Sequence, residues 1–169
     1  MASRQIFDPI VALRAAPLVS ATCTLLYAWD QHLFLSILNQ QKTRQHSKSI
    51  IGPYWAALFP KGLPMVLGFI AVTSSTAFAN IYKHGRVLKA RQSYGWYVAG
   101  AILSLSHLVF VPFVAPKIQK IVAPKEDEKD VDPNDQLDQW LSVHAFRSLT
   151  VDLAAWVAVS VAVLKSLQA

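Results

Sequence analysis

Charged residues are scarce along most of this chain, and they leave long apolar stretches between them. Residues 62–82 and 92–116 contain no charged side chain, residues 15–41 contain only Asp30, and residues 139–164 contain two. An α-helix needs ~20 apolar residues to cross a hydrocarbon core of ~30 Å. The pattern predicts four transmembrane helices, over about 17–38, 62–82, 94–115 and 137–164.

The connections between these helices are short, which predicts how the helices pack. Helices that follow one another through short connections lie side by side and antiparallel. We therefore expect an all-α fold, an integral membrane four-helix bundle in up-down-up-down order, as a single domain over residues 1–169. Residues 1–14 resemble an amphipathic lead-in, and residues 116–136 form an acidic loop. Residues 52–64 carry three prolines and three aromatic side chains, which suits an interfacial segment or lid better than a buried helix.

The composition agrees with a membrane protein. Hydrophobic residues make up 53% of the chain and charged residues 15%, whereas a soluble domain carries about 25% charged residues. Most of the net charge of +6 comes from lysines and arginines in the connections, where such side chains anchor helix ends against lipid headgroups. This placement argues against nucleic-acid binding. Cys23 is the only cysteine, so it forms no internal disulfide.

Ionisable side chains occur inside three of the predicted helices, and their depths coincide. Counting ~1.5 Å per residue from the helix ends places them roughly 10–18 Å below the same face of the bundle. In an antiparallel bundle, such residues from different helices meet at one level. Ionisable residues inside a membrane span indicate a functional site. The candidate catalytic residues are Asp30, His32, His107, His144 and Arg147.

Other side chains at this level are expected to form the wall of a substrate pocket. Trp140, His144 and Arg147 stand at i, i+4 and i+7, so they form one stripe on the fourth helix. Tyr27 and Gln31 share a face of the first helix. Aromatic residues ahead of the second helix would cover the pocket. The predicted substrate-binding residues are Tyr27, Gln31, Tyr54, Trp55, Phe59 and Trp140.

The charges permit acid–base chemistry, and they also permit a structural role. Asp30 or His32 would take or relay a proton with help from His144. Arg147 would stabilise a developing enolate or phenolate oxygen. Alternatively, Arg147 and Asp30 form a buried ion pair that fixes the register of the helices. Asp152 is rotated by about 140° from Arg147 on an α-helix, which leaves it to pair with His32 or with a partner subunit.

The fourth helix carries a motif that resembles a known family. The run W-L-S-V-H-A-F-R-S-L (140–149) resembles the closing signature of the anthrone oxygenase-like family, in which tryptophan precedes histidine or asparagine, and then arginine, at this spacing. The run H-L-V-F-V-P-F-V-A-P-K-I (107–118) and the aromatic–Gly–Pro stretch before the second helix are also similar. The resemblance implies a small membrane bundle, often fungal, that tailors polyketide or terpenoid intermediates without a recognised cofactor. The residues that match are Trp140, His144 and Arg147.

The first helix departs from the family pattern, because W-D-Q-H (29–32) stands where the usual relatives have small and apolar residues. The added acid and base favour isomerisation, dehydration or ring closure over anthrone oxidation itself. The leading prediction is a multi-pass tailoring enzyme of the endoplasmic reticulum or another endomembrane. It would act on a hydrophobic intermediate by cofactor-independent acid–base chemistry, or by oxygenation of the anthrone type.

Two other interpretations remain open. The first is a non-catalytic transporter or assembly subunit, alone or as a homo- or heterodimer, in which the same charges serve the structure. The second is a metal oxygenase with His32, His107 and His144 as ligands, although no H-x-x-x-H or H-x-x-E-H spacing supports it. His107 taken alone is also an ordinary partner for a hydrogen bond between helices.

Overall fold

The computed structural model describes residues 8–128 and 130–168, and this part of the chain is helical without a β-strand. Residues 1–7, the first half of the expected lead-in, lie outside the described residues. The helices are α1 (Pro9–Leu38), α2 (Arg44–Ala90), α3 (Tyr94–Ser106), α4 (Val111–Val122), α5 (Pro133–Arg147) and α6 (Leu153–Leu167). A 3-10 turn, His107–Phe110, links α3 to α4, and a second, Glu126–Glu128, follows α4. A π-helical turn, Ser148–Asp152, links α5 to α6.

Within residues 8–128 and 130–168, four helical segments are long and apolar enough to cross a membrane, and the all-α fold class is confirmed. They are α1, α2, the combined α3–α4 segment and the combined α5–α6 segment. Their bounds differ from the predicted ones: α1 begins at Pro9, the α3–α4 segment continues to Val122, and α5 begins at Pro133. The acidic connection between α4 and α5 is therefore shorter than the sequence indicated.

Hydrogen bonds between α1 and the last segment show that these helices run in opposite directions. Near the start of α1, Arg14 Nη1 donates to the carbonyl oxygen of Ser166 at 2.7 Å. Further along, Trp156 Nε1 donates to Thr22 Oγ1 at 2.9 Å. As residue numbers rise along α1, those of its partners fall. This direction agrees with the expected up-down-up-down order.

The helices α1 and α2 also run in opposite directions. Ser20 Oγ donates to the carbonyl oxygen of Phe69 at 2.9 Å, and Asn80 Nδ2 donates to that of Leu13 at 2.7 Å. These polar side chains bond backbone carbonyls of the neighbouring helix, which satisfies them without water. They fix the register of α1 against α2 and so place Tyr27 and Gln31 beside the middle of α2.

The second helix is longer than one membrane span. It has 47 residues with a kink at His84, and the part before the kink alone extends about 60 Å at ~1.5 Å per residue. It includes the proline-rich segment 52–64, so this segment is neither a loop nor a detached lid. Pro53, Pro60 and Pro64 are exposed and share one side of the helix, because they stand seven and four residues apart. The backbone bonds that proline prevents are therefore lost on the outside, while Trp55 of the same segment is buried.

Ion pairs join the start of α2 to the start of α5. Arg44 donates to Asp135 and Asp138, each at 2.6 Å, and Lys48 donates to Asp132 at 3.0 Å. Partial burial of Asp132 opposes its ionisation, but the hydrogen bonds from Lys48 and from a backbone N–H outweigh it. The pKa of this carboxyl therefore lies below its usual value. Acidic residues from the predicted loop thus hold two helix ends together.

Two clusters of buried apolar side chains hold the bundle, one toward each end. Residues 104–107 of the third segment and 144–152 of the last segment fall between the clusters in sequence, and several of them are buried and polar. The polar layer is therefore enclosed on both sides. One cluster comprises Leu35, Ile51, Trp55, Ile121, Leu137, Trp140 and Leu141. The other comprises Ala77, Leu88, Tyr97, Ala101 and Ala162.

Candidate functional site

The centre of the polar layer is the carboxylate of Asp152, which binds two side chains. His107 Nδ1 lies 2.9 Å from Asp152 Oδ1, and Arg147 Nε donates to Asp152 Oδ2 at 3.2 Å. Because a carboxylate only accepts hydrogen bonds, Nδ1 of His107 carries the proton. The other ring nitrogen, Nε2, is then the basic one. Asp152 therefore orients His107 and pairs with Arg147 at the same time.

A π-helical turn makes the contact between Asp152 and Arg147 possible. Asp152 stands five residues after Arg147, and the intervening turn is Ser148–Asp152. On an α-helix this spacing turns the two side chains apart by about 140°, whereas a π turn brings residue i+5 back over residue i. The expectation that Asp152 points away from Arg147 is therefore wrong. Sequence reasoning missed Asp152 as a site residue, and the only signal was that each buried charge needed a partner.

His144 is held at both ring nitrogens. Its Nε2 lies 2.9 Å from the carbonyl oxygen of Ala28, which only accepts, so Nε2 carries a proton. Its Nδ1 lies 3.0 Å from Arg147 Nη2, which only donates, so Nδ1 is the acceptor. His144 is therefore neutral in this arrangement and has no nitrogen left for a substrate. Its contact orients Arg147. The sequence had suggested instead that His144 would assist directly in proton transfer.

The four side chains of this network are withdrawn from water. The exposed fractions of His107, His144, Arg147 and Asp152 lie between 1% and 7%. The opposite charges of Arg147 and Asp152 lie in direct contact, and each is also hydrogen-bonded to a histidine. A buried charge pair is tolerated when the geometry satisfies both partners. Burial also strengthens each electrostatic interaction relative to water.

A cavity of about 100 Å³ adjoins the network, and both His107 and Arg147 line it. Among the described residues, Nε2 of His107 has no hydrogen-bond partner, so the basic nitrogen is available to a ligand. The remaining wall of the cavity is apolar apart from Gln31. Of the predicted substrate-binding residues, the cavity is lined by Gln31, Trp55, Phe59 and Trp140.

Two more predicted substrate-binding residues lie elsewhere. Tyr27 does not line this cavity but a small neighbouring one, which it shares with Gln31 and His107. Its hydroxyl lies against Gly62, where a Cβ would come within 2.7 Å of it. Tyr54 is exposed and lines neither this cavity nor the small one beside Tyr27. Tyr54 is one helical step from Trp55, so only one of the two can face inward.

Asp30 does not join the network. It is exposed on α1, and among the described residues no ion pair connects it with Arg147, whose carboxylate partner is Asp152. The expected Asp30–Arg147 pair is therefore wrong. The buried stripe of α1 includes Ala28, and a residue two positions later is rotated by about 200° from it. Counting residues along the helix had placed Asp30 at the level of the network, but such a count does not determine the side of the helix on which a residue lies.

His32 lies on the opposite side of His144 from the cavity. Its ring stacks on that of His144 with centroids 6.1 Å apart. Both rings line an apolar groove of about 400 Å³, which includes Trp29 but neither His107 nor Arg147. The structure therefore separates His32 from the basic nitrogen of His107. Among the described residues, no three His, Cys, Asp or Glu side chains are grouped so as to hold a metal ion.

Aromatic stacking holds the network against the apolar cluster. Trp140 stacks on His144 with ring centroids 4.5 Å apart and 16° between the planes, and Trp55 meets Trp140 edge to face at 4.9 Å. Such pairs contribute about 0.5–1.5 kcal/mol beyond their buried area. The stripe predicted from the sequence, Trp140–His144–Arg147, is thus one continuous wall of the site.

Comparison with known proteins identifies relatives over nearly the whole chain. The probable epoxidase scpX of Mollisia scopiformis is 26% identical over 155 residues, which cover 92% of this chain and 96% of the relative. Epoxidase pydX of an Acremonium species is 24% identical over 162 residues, covering 94% and 96%. Epoxidase gkaX of Penicillium citrinum is 27% identical over 149 residues, covering 86% and 88%. This chain is a homologue of these fungal epoxidases.

The homology agrees with the resemblance to fungal enzymes of the anthrone oxygenase-like type. It also supports the interpretation of the chain as an enzyme of natural-product tailoring. No family model matches the chain, and no solved structure matches it. The residues that carry the chemistry must therefore be argued from the site itself.

Proposed function

We propose that this protein is a membrane-embedded tailoring enzyme that oxygenates a hydrophobic polyketide or terpenoid intermediate. The observation that carries the proposal is the buried His107–Asp152–Arg147 arrangement on the wall of an apolar cavity. The names of the relatives support oxygenation over isomerisation, dehydration or ring closure. The endoplasmic reticulum or another endomembrane is the proposed location, because four helices are long and apolar enough to cross a membrane.

The first chemical step is removal of a proton from the substrate. Nε2 of His107 accepts the proton from an acidic C–H or O–H group that lies in the cavity. Asp152 holds the proton on Nδ1 and stabilises the imidazolium that forms, as an aspartate does in a catalytic triad. A positioned general base of this kind contributes about 10²–10⁴ in rate.

The second requirement is stabilisation of the substrate anion. Arg147 lines the cavity beside His107 and stays protonated, so it can donate to the enolate or phenolate oxygen. Its Nε and Nη2 are held by Asp152 and His144, which fixes the guanidinium before substrate arrives. In many enzymes, preorganised donors in a site withdrawn from water contribute more to the rate enhancement than any other single effect.

Oxygenation then uses dioxygen as the oxidant and the substrate as the source of electrons. The substrate carbanion supplies the two electrons of a new carbon–oxygen bond, and His107 returns its proton to the distal oxygen, which gives a hydroperoxide. The hydroperoxide passes that oxygen to a carbon–carbon double bond of the same molecule. The O–O bond breaks, the double bond becomes an epoxide, and a hydroxyl group remains, so that one molecule of dioxygen is fully accounted for.

A strain that carries the variant His107→Gln in place of the natural gene tests this proposal. We expect the strain to accumulate the same precursor as a deletion strain, while the variant protein still reaches the membrane. The control is His46→Gln, which changes another histidine that is exposed and lines neither the cavity beside His107 nor the groove beside His32. Normal product formation with His107→Gln would exclude His107 as the base.

Growth under ¹⁸O₂ separates oxygenation from the other reactions. Oxygenation predicts ¹⁸O in the metabolite that the deletion strain lacks, relative to its precursor. Isomerisation, dehydration or ring closure uses the same proton transfer but leaves the metabolite unlabelled. If the product is unlabelled but its formation still depends on His107, then the role of His107 as base stands and the oxygenation step is wrong.

A further inference from the structure

We propose that the substrate enters this cavity sideways from the lipid, through an opening between α2 and α4, with its oxygenated end leading. The inference rests on the proposed function, because it takes the cavity beside His107 as the reaction site. It adds the route of entry and the class of molecule that can use it. We call this opening the lateral portal and define it by Leu63 and Leu67 of α2, Leu108 of the 3-10 turn and Val111 of α4.

The portal residues belong to the cavity and to the outer surface at once. All four line the cavity with His107 and Arg147. Each also has an exposed fraction between 40% and 48%. A side chain can be exposed on the outside and line a cavity only where the wall is open beside it. The surface concerned lies on helices apolar enough to cross a membrane, so the opening faces lipid.

The chemistry of the wall restricts what can pass. The portal residues are all aliphatic, and the polar groups of His107, Arg147 and Gln31 lie behind them. A charged or strongly hydrated molecule would lose its water at the portal without gaining a partner, which is costly. The substrate is therefore neutral and lipid-soluble. Its carbonyl or hydroxyl group finds its first polar partners only at His107, Arg147 and Gln31.

The size of the cavity indicates that only part of the substrate enters. Its volume is about 100 Å³, and an engineered protein cavity of about 150 Å³ holds a single benzene. A polyketide or terpenoid skeleton with several rings does not fit as a whole. The reacting ring or alkene therefore occupies the cavity, and the rest of the molecule stays between α2 and α4 in contact with lipid.

The groove beside His32 is the competing entrance, and its geometry argues against it. The groove is larger, about 400 Å³, and it also faces outward through Leu26 and Leu149. It reaches neither His107 nor Arg147. His144 closes it, with both ring nitrogens bonded. This groove supplies matched controls, because its leucines are apolar and outward-facing like those of the portal.

Photolabelling of purified protein in phosphatidylcholine vesicles tests the portal without requiring turnover. The probe is a neutral aryl diazirine that dissolves in the bilayer, and mass spectrometry locates the carbene insertion. Trp55 and Trp140 are buried and line the cavity, so label on them reports entry. Trp29 is exposed on the other groove, so label on it reports the probe in the lipid.

Bulky and small substitutions at the portal should move the labelling in opposite directions. We expect Leu63→Trp and Val111→Trp to lower the ratio of cavity label to Trp29 label about tenfold, as ~1.4 kcal/mol of unfavourable contact does. Leu63→Ala should raise the ratio, which a folding defect would not do. The controls Leu26→Trp and Leu149→Trp should leave the label on Trp55 and Trp140 unchanged, and they are scored on that label alone because Trp29 lines their own groove.

Three results would overturn the proposal: an unchanged ratio in both portal variants, a fall in the control variants instead, or normal product formation by portal variants that exclude the probe. The labelling result does not depend on His107. If His107→Gln keeps its activity while the portal variants block the label, the catalytic assignment fails and the entry route stands.

Discussion

The two oxygens of Asp152 hold different side chains, so this carboxylate is shared between the proposed base, His107, and the proposed oxyanion partner, Arg147. We expect Asp152→Asn to lower product formation at least about a hundredfold, because an amide no longer fixes the proton on Nδ1 of His107. The measurement is product per amount of protein in isolated membranes. The matched control is Asp30→Asn, which should stay fully active because Asp30 is exposed and outside the network.

The same carboxylate allows the catalytic and structural interpretations to be separated. Removing one partner of a buried ion pair costs about 3–5 kcal/mol, whereas replacing both with apolar side chains is often neutral. The double variant Arg147→Met/Asp152→Leu should therefore regain most of the stability that Asp152→Asn loses, measured by unfolding in detergent. Product formation should remain lost. If activity returned together with stability, the charges would serve only the structure.

We expect a substitution of His144 that keeps a hydrogen-bond acceptor for Arg147 to preserve activity, and a substitution that removes this acceptor to lower it. Asparagine offers a side-chain oxygen to Arg147 Nη2, while phenylalanine keeps the stacking on Trp140 but has no acceptor. We expect His144→Asn to keep a substantial part of the activity and His144→Phe to lose about tenfold or more, as expected for a lost hydrogen bond to a charged group. Equal activity of the two variants, at equal protein level, would contradict a role in orienting Arg147.

The depth of each residue, counted along its helix, predicted much of this site. The side of the helix on which each residue lies was predicted less well. Counting along the helices placed His107, His144 and Arg147 at one level, where the structure joins them. The same count placed Asp30 there as well, although it points outward. It misjudged Asp152 because the count assumed 100° per residue through the π turn. A local change of helix type carries no obvious mark in the sequence.

At the scale of helices, α3 and α6 pack tightly against each other at Gly100. A Cβ at this position would lie 2.4 Å from Cγ1 of Val159. We expect Gly100→Ala to destabilise the bundle by about 1–3 kcal/mol, as overpacking does in other cores. The accompanying change Val159→Ala should restore part of the loss. Thermal unfolding in detergent measures both effects.

Gly68 provides the matched control for this prediction. It also lies within a helix, but a Cβ there would have no neighbour within 4 Å. Gly68→Ala should therefore be neutral or stabilising by up to about 1 kcal/mol, since alanine favours the helix more than glycine. If the two glycine variants lost the same stability, helix propensity rather than contact would explain the result at Gly100.

The sequence predicted the number of membrane-crossing helices better than their ends. A helix that crosses the lipid core must be long and nearly free of charge, so the number of such helices follows directly from the number of charge-free stretches. Helix ends depend on packing and capping instead. The segment 52–64 was misjudged because prolines usually interrupt helices. Here they share the exposed side of α2, where a lost backbone bond does not disturb the packing of Trp55.

At the scale of the whole molecule, the site exists only when the bundle is closed. Asp152 is the last residue of the π turn, His107 follows α3, and His144 of α5 bonds Ala28 of α1. Of the four described segments that are long and apolar enough to cross a membrane, three thus contribute to one network, and α2 supplies the facing wall of the cavity. An antiparallel arrangement is what brings these positions to the same depth.

That arrangement also fixes which ends of the molecule share a side of the membrane. Asn39 at the end of α1 donates to Asp138 at 2.6 Å, so the connection after α1 and the loop 123–132 lie on one side. Arg14 and Ser166 meet at the opposite end. We therefore expect the C-terminus and the loop 123–132 to lie on opposite sides of the membrane.

Glycosylation mapping tests this expectation in the endoplasmic reticulum. The chain has three asparagines, and none lies in an Asn-X-Ser/Thr sequence. The chain without an added acceptor should therefore show no N-glycosylation. One variant carries such an acceptor on a flexible Gly/Ser insertion within 123–132, and the other carries it after residue 169. Because only one side faces the lumen, one variant and not the other should show a glycosidase-sensitive shift in mobility. Modification of both would contradict the antiparallel order, and modification of neither would contradict insertion in this membrane.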